Sequence, residues 1–210
     1  MNRPETSPDI HSLISLFYQH QEVFGKTTEV LPAELPTYAN YLLNHQGHMT
    51  ETMERFHRGP VTVAVLDRNH EGESYQRKIL LARKEDKGVV QFGIVRLYLK
   101  YLPEDVQTKI LAEERPLGRI LIENEVLRKV ELTSLWKIEP GDELLSHFQN
   151  CGDRKEAKEK SWNELTTLYG RTAMIYCNGE PAIELLEIAS PYYQILAGKD
   201  IGGQNKNSGK

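Results

Sequence analysis

The sequence predicts an α+β fold with a single antiparallel sheet of about six strands and four or five helices. Two observations carry this. Residues 61–97 hold three strand-like runs in succession, joined by short polar connections, which is the pattern of an antiparallel meander. Residues 170–191, GRTAMIYCNGEPAIELLEIASP, hold two β-forming runs around Asn178-Gly179. Asn-Gly is a strong hairpin signal because both residues tolerate positive φ. Strands paired locally, rather than alternating with helices, make an α+β sheet and not a doubly wound one.

Taken in order, residues 1–6 are frayed. Ser7-Pro8 starts a helix, with Ser as N-cap and Pro at the first helical position. Ile10, Leu13, Ile14, Leu16 and Phe17 follow with helical spacing, and Gly25 ends the helix. Pro32 to Pro36 is a connector. Tyr38–Asn44 is a short helix, and Thr50 caps another over Glu51–Phe56. The strands of the meander are Val61–Asp67, Tyr75–Ala82 and Val89–Leu97, with Arg68–Glu73 as the first loop. Pro103 opens a helix through Leu111, acidic early and basic late, as the helix dipole prefers. Residues 113–119 interrupt it, and Ile120–Asn124 is apolar with its type left open. Val126–Ile138 is a long strand, Pro140-Gly141 a turn, and Leu144–Phe148 one helical turn. Cys151–Lys160 is a charge-dense solvated segment. Ala197–Lys210, rich in Gly, Asn and Lys, is a disordered tail. The expected organisation is one domain over residues 1–196, with residues 1–30 as a helical extension.

Composition narrows the function classes. At 210 residues, 39% hydrophobic and 27% charged, the chain can build one real core. A net charge of −4 argues against a nucleic-acid binder with a broad basic surface. It leaves room for an anionic small molecule, because a few local cations outweigh the global sign. Cys151 and Cys177 have no CxxC spacing and give neither a disulfide framework nor a zinc site. His45 and His48 are three apart and His57 is near, but no metal-binding motif surrounds them. No apolar leader and no run of transmembrane length is present, so a soluble, cytoplasmic protein is expected.

Side chains alternate across a strand. Ile183, Leu185 and Glu187 share one face of the last strand; Ala182, Glu184, Leu186 and Ile188 share the other. Tyr75, Arg77, Ile79 and Leu81 likewise share a face. A carboxylate or guanidinium among aliphatics needs a partner if its face is buried. The alternatives are an Arg77–Glu187 ion pair, solvent exposure, or a ligand site in which Arg77 meets a carboxylate bidentately.

These residues also fall in a recognisable order. Met49-Thr50 precedes the first strand, Arg77 sits in QRKILL, Pro116-Leu117-Gly118-Arg119 follows, and Gly179-Glu180-Pro181 leads to Glu187 and Ser190-Pro191. Over residues 35–192 this resembles the chorismate pyruvate-lyase family, in its cyanobacterial, plastid and mycobacterial branch. The resemblance implies helices closing over an internal ligand cavity in a monomer. It implies conversion of chorismate to pyruvate and 4-hydroxybenzoate for quinone or related aromatic biosynthesis, without a cofactor. Arg77 and Glu187 would be the catalytic pair. Arg77 would hold the ring carboxylate, and Glu187, protonated through burial, would meet the oxygen at the far end of the ring. Met49, Leu117 and Gly118 would contact substrate from the two closing segments. The spacing from the Gly-x-Pro turn to the glutamate leaves Glu184 as a rival on the opposite, outer face. The alternative is a non-catalytic domain of the same fold that binds an aromatic carboxylate, as in the sensing domains of bacterial transcription regulators. Those carry a helix-turn-helix domain, for which residues 1–45 are too short. A lyase or hydrolase for another aromatic substrate is a third reading.

Overall fold

The computed structural model describes residues 8–126, 128–149 and 167–191. The expectations for residues 151–160 and 197–210 lie outside them. Helices α1 (Ile10–Ser15) and α2 (Gln21–Phe24) lead into strand β1 (Gly25–Val30), and α3 (Thr37–Leu43) and α4 (Met49–His57) follow. The meander is β2 (Val61–Glu71), β3 (Ser74–Arg83) and β4 (Val89–Tyr98). Next come α5 (Glu104–Leu111), α6 (Leu117–Glu123), β5 (Arg128–Pro140) and α7 (Asp142–Gln149). The hairpin of β6 (Leu168–Cys177) and β7 (Glu180–Ala189) completes the fold. All pairings are antiparallel, in one seven-stranded sheet of order β1-β5-β6-β7-β4-β3-β2. The architecture is α+β and is consistent with the chorismate lyase-like fold.

The seventh strand is the main departure from the sequence reading. Residues 25–30 are not part of a helical extension; they pair with Trp136–Pro140 and Leu135 on β5. A polar run, GKTTEV, makes a poor core strand, but an edge strand needs only one paired side. Gly25, at φ +125°, makes the switch from helix to strand, because a Cβ there would collide with the Glu139 carbonyl. The first helix is short and is capped by Asp9, whose carboxylate accepts from the His11 and Ser12 N–H groups. Leu117-Gly118-Arg119 opens α6 rather than interrupting a helix.

The sheet is covered on both faces. Under α1, α2 and α7 lie Leu80, Phe92, Ile94, Leu186 and Ile188. Helices α3 to α6 cover the other face, where Val95, Leu97, Ile183 and Leu185 pack beneath α5 and α6, and Ile79 and Leu81 beneath α3 and α4. Glu184 does lie opposite Glu187 in facing, but it is not outside. It is 5% exposed beneath α1, paired with Arg96 at 2.9 Å and accepting from the Tyr98 hydroxyl. Among the described residues no helix is long and apolar enough to cross a membrane.

Candidate functional site

Register builds a cavity on the face under α4 and α6. Arg77 on β3 stands opposite Val95 on β4, which stands opposite Leu185 on β7, then Ala173 on β6. The next row is Ile79, Gly93, Glu187 and Arg171; the one after is Leu81, Gln91 and Ala189. Gly93 has no side chain, and a Cβ there would sit 3.2 Å from Ile79 Cγ1. The floor is therefore hollow at its centre. The roof is the α4 N-terminus, with His48, Met49 and Thr50, and the α6 N-terminus, with Leu117 and Gly118. These two helices approach closely because Gly118 is bare: a Cβ would lie 2.8 Å from Thr50 Oγ1. The enclosed space is about 40 Å³, room for a few water molecules.

All five residues singled out from the sequence, Met49, Arg77, Leu117, Gly118 and Glu187, line this one cavity. Their surroundings differ. Arg77 is 0% exposed, and none of its three guanidinium nitrogens makes a hydrogen bond of good geometry among the described residues, although the Tyr75 hydroxyl and the Glu113 carboxylate lie close enough to act on its charge. Burial lowers its pKa from the usual arginine value, with Tyr75 and Glu113 nearby opposing the shift. An arginine nevertheless stays charged in proteins. The Glu113 carboxylate is itself engaged by the Tyr75 hydroxyl and by Arg68.

Glu187 is not free. Arg171 Nε donates to its Oε2 at 2.7 Å, and Gln91 Nε2 to its Oε1 at 3.4 Å. Arg171, fully buried, spends its other nitrogens on the roof: Nη1 donates to the His45 carbonyl at 2.8 Å and Nη2 to the Gly47 carbonyl at 3.2 Å. It ties the loop ahead of α4 to the sheet. So Glu187 pairs with Arg171, and Arg77 does not pair with Glu187. The sequence reading missed Arg171 and Gln91. Alternation within RTAMIYC does place Arg171 with Ala173, Ile175 and Cys177, a usable signal.

His48 closes one side of the roof. Arg128 Nε donates to its Nε2. Burial, then Arg128 and Arg171, push the imidazole down to about 4, so it is neutral. His45 is lowered too, by burial first and by Arg171 second. Cys177 is buried and its thiol is raised by burial to about 11, which leaves it inert.

No family model and no curated protein matches the chain. Solved structures resemble it at the level of fold. The structure of PhnF from Mycobacterium smegmatis aligns at a TM-score of 0.48 and 10% identity, covering 70% of this chain and 64% of that one. This chain thus spans less than two thirds of that protein. The effector domain of PhnF aligns at 0.46 and 10% identity, over 69% of this chain and 88% of that one. A GntR-family transcriptional regulator from Bacillus cereus aligns at 0.36 and 14% identity, over 63% and 92%. The expectation of a chorismate pyruvate-lyase is corrected: these neighbours, described as an effector domain and a transcriptional regulator, lend it no support. The site has a physical reason for the same correction, since the acid assigned to the ether oxygen is already committed to Arg171. The catalytic roles of Arg77 and Glu187 fall with the lyase, as do chorismate and 4-hydroxybenzoate as substrate and product.

Proposed function

We propose that residues 1–196 form one non-catalytic ligand-binding domain, whose cavity takes a small organic anion with an apolar body, such as an aromatic carboxylate. The observation that carries this reading is the Arg77 guanidinium, fully buried, facing a cavity and with N–H groups that make no well-formed hydrogen bond among the described residues, Tyr75 and Glu113 being its polar neighbours. Leaving a buried charge unpaired is costly. A carboxylate entering the cavity removes that cost with two parallel N–H···O bonds. Ile79, Leu81, Val95 and Leu185 would contact the apolar body. Met49, Leu117 and Gly118 would close over it, with Glu187 as part of the wall. The reading keeps the scaffold of the chorismate pyruvate-lyase resemblance and drops its chemistry.

Calorimetric titration with benzoate tests it. Wild-type protein binds, and Arg77→Gln weakens binding about tenfold to a hundredfold, the loss expected for hydrogen bonds to a charged group. Equal binding by both proteins, or release of pyruvate from added chorismate, contradicts the reading.

A further inference from the structure

The geometry points to Gln91 as a specificity-determining residue that reads a hydrogen-bond donor at the end of the ligand away from Arg77. This rests on the binding reading above. Gln91 lies on β4 opposite Leu81, four residues along β3 from Arg77, or about 13 Å of strand. It lines the cavity and is 2% exposed. Its orientation follows from its neighbour. A carboxylate such as Glu187 only accepts, so the amide must turn its Nε2 toward Glu187 Oε1. That leaves Oε1 as a buried acceptor with no partner among the described residues. Arg171 does not fill it: the hydrogen bonds its nitrogens donate go to Glu187, His45 and Gly47.

The cavity is therefore polarised. Donors on Arg77 that make no well-formed hydrogen bond stand at one end, beside Val95, and an unfilled acceptor on Gln91 at the other, with Ile79 and Gly93 between them. A ligand complementary to both ends carries an anionic group, an apolar middle, and an N–H or O–H at the far tip. The Glu187–Arg171 pair acts as a positioning element, fixing which end of the amide faces the ligand.

The probes are 4-aminobenzoate and 4-methylbenzoate, which share a shape and differ in donating a hydrogen bond. Calorimetry on the full chain gives the affinity ratio. A site that only buries apolar surface prefers the methyl compound. The proposal expects the amino compound to bind at least about tenfold tighter, because only it fills a buried acceptor. In Gln91→Leu the preference disappears or reverses. Should that variant fail to fold, Gln91→Met and the wild-type ratio decide. A wild-type preference for 4-methylbenzoate overturns the role of Gln91, and the binding reading stands if affinity still depends on Arg77. A wild-type protein that binds neither probe overturns both.

Discussion

At the residue scale the site is a matter of which charges have partners. The Arg171–Glu187 pair is buried and also braces the roof, so its members are structural even as they face the cavity. Arg77 has the same burial, but it makes no well-formed hydrogen bond among the described residues and has only Tyr75 and Glu113 near its charge. His48 has a consequence in solution. Its folded-state pKa is about 4, against about 6.5 for an unperturbed histidine. The unfolded chain therefore takes up a proton that the folded one refuses, and stability falls as pH drops from about 6.5 to about 4. The contribution is at most about 3 kcal/mol. Urea unfolding across that range should show a shallower pH dependence for His48→Gln than for wild type. His45 and His147, also lowered, contribute in the same direction, so the difference between the two proteins is the quantity to read. Identical slopes would remove His48 from the account.

Part of this was legible in the residues. Alternation alone groups Arg77 with Tyr75, Ile79 and Leu81, and Glu187 with Ile183 and Leu185. Alternation marks Arg171 as a candidate, but its pairing with Glu187 was not legible, for a definite reason. A two-residue Asn178-Gly179 turn in regular register sets Arg171 opposite Leu186. A register shift between Ile175 and Tyr176 moves the pairing by one residue, so that Arg171 faces Glu187. A one-residue slip exchanges the faces of a strand. Pro181, which cannot donate to the ladder, marks the spot where such a bulge is tolerated.

At the element scale the roof depends on the approach of α4 and α6. Helix α4 begins at Met49 behind His48, and α6 at Leu117 behind Pro116. Their first turns meet where Gly118 faces Thr50. The sequence marked both segments, but Pro116-Leu117-Gly118-Arg119 looked like a break because Pro and Gly punctuate chains. In fact Pro116 is the cap and Gly118 is needed for contact rather than for a turn. Gly118→Ala should cost about 1–3 kcal/mol through overpacking. Thr50→Ala removes the nearest atom, Oγ1, and should restore part of that loss. Chemical denaturation of the single and double variants measures both. Additive effects would show that the helices do not touch as described. The N-terminal strand was missed on similar grounds: GKTTEV has little apolar alternation, and its place at the sheet edge depends on a distant partner, β5.

At the scale of the whole molecule, one sheet separates two layers with different tasks. The layer beneath α1, α2 and α7 is apolar core, stiffened by the Arg96–Glu184 pair. The layer beneath α3 to α6 contains the cavity and the buried Arg77 that lines it. The class of fold and the meander were legible because they rest on local period and turn chemistry. The strand count and the exact pairings were not, because edge strands and bulges are decided by contacts far apart in the chain. The cavity is small, about 40 Å³, and its roof is the meeting of α4 and α6, so ligand entry is expected to involve those two helices.

If, as proposed, Arg77 serves a ligand and not the fold, removing its charge separates stability from ligand response. Unfolding free energies of wild type and Arg77→Met are measured in urea, with and without benzoate. Replacing a buried guanidinium that makes no well-formed hydrogen bond with an apolar side chain of similar length should leave stability without benzoate unchanged or raise it, by up to about 4 kcal/mol. It should also abolish the stabilisation that benzoate gives wild type. A variant clearly less stable than wild type in buffer, and still stabilised by benzoate to the same extent, would show that Arg77 serves the fold and that the ligand, if any, binds elsewhere.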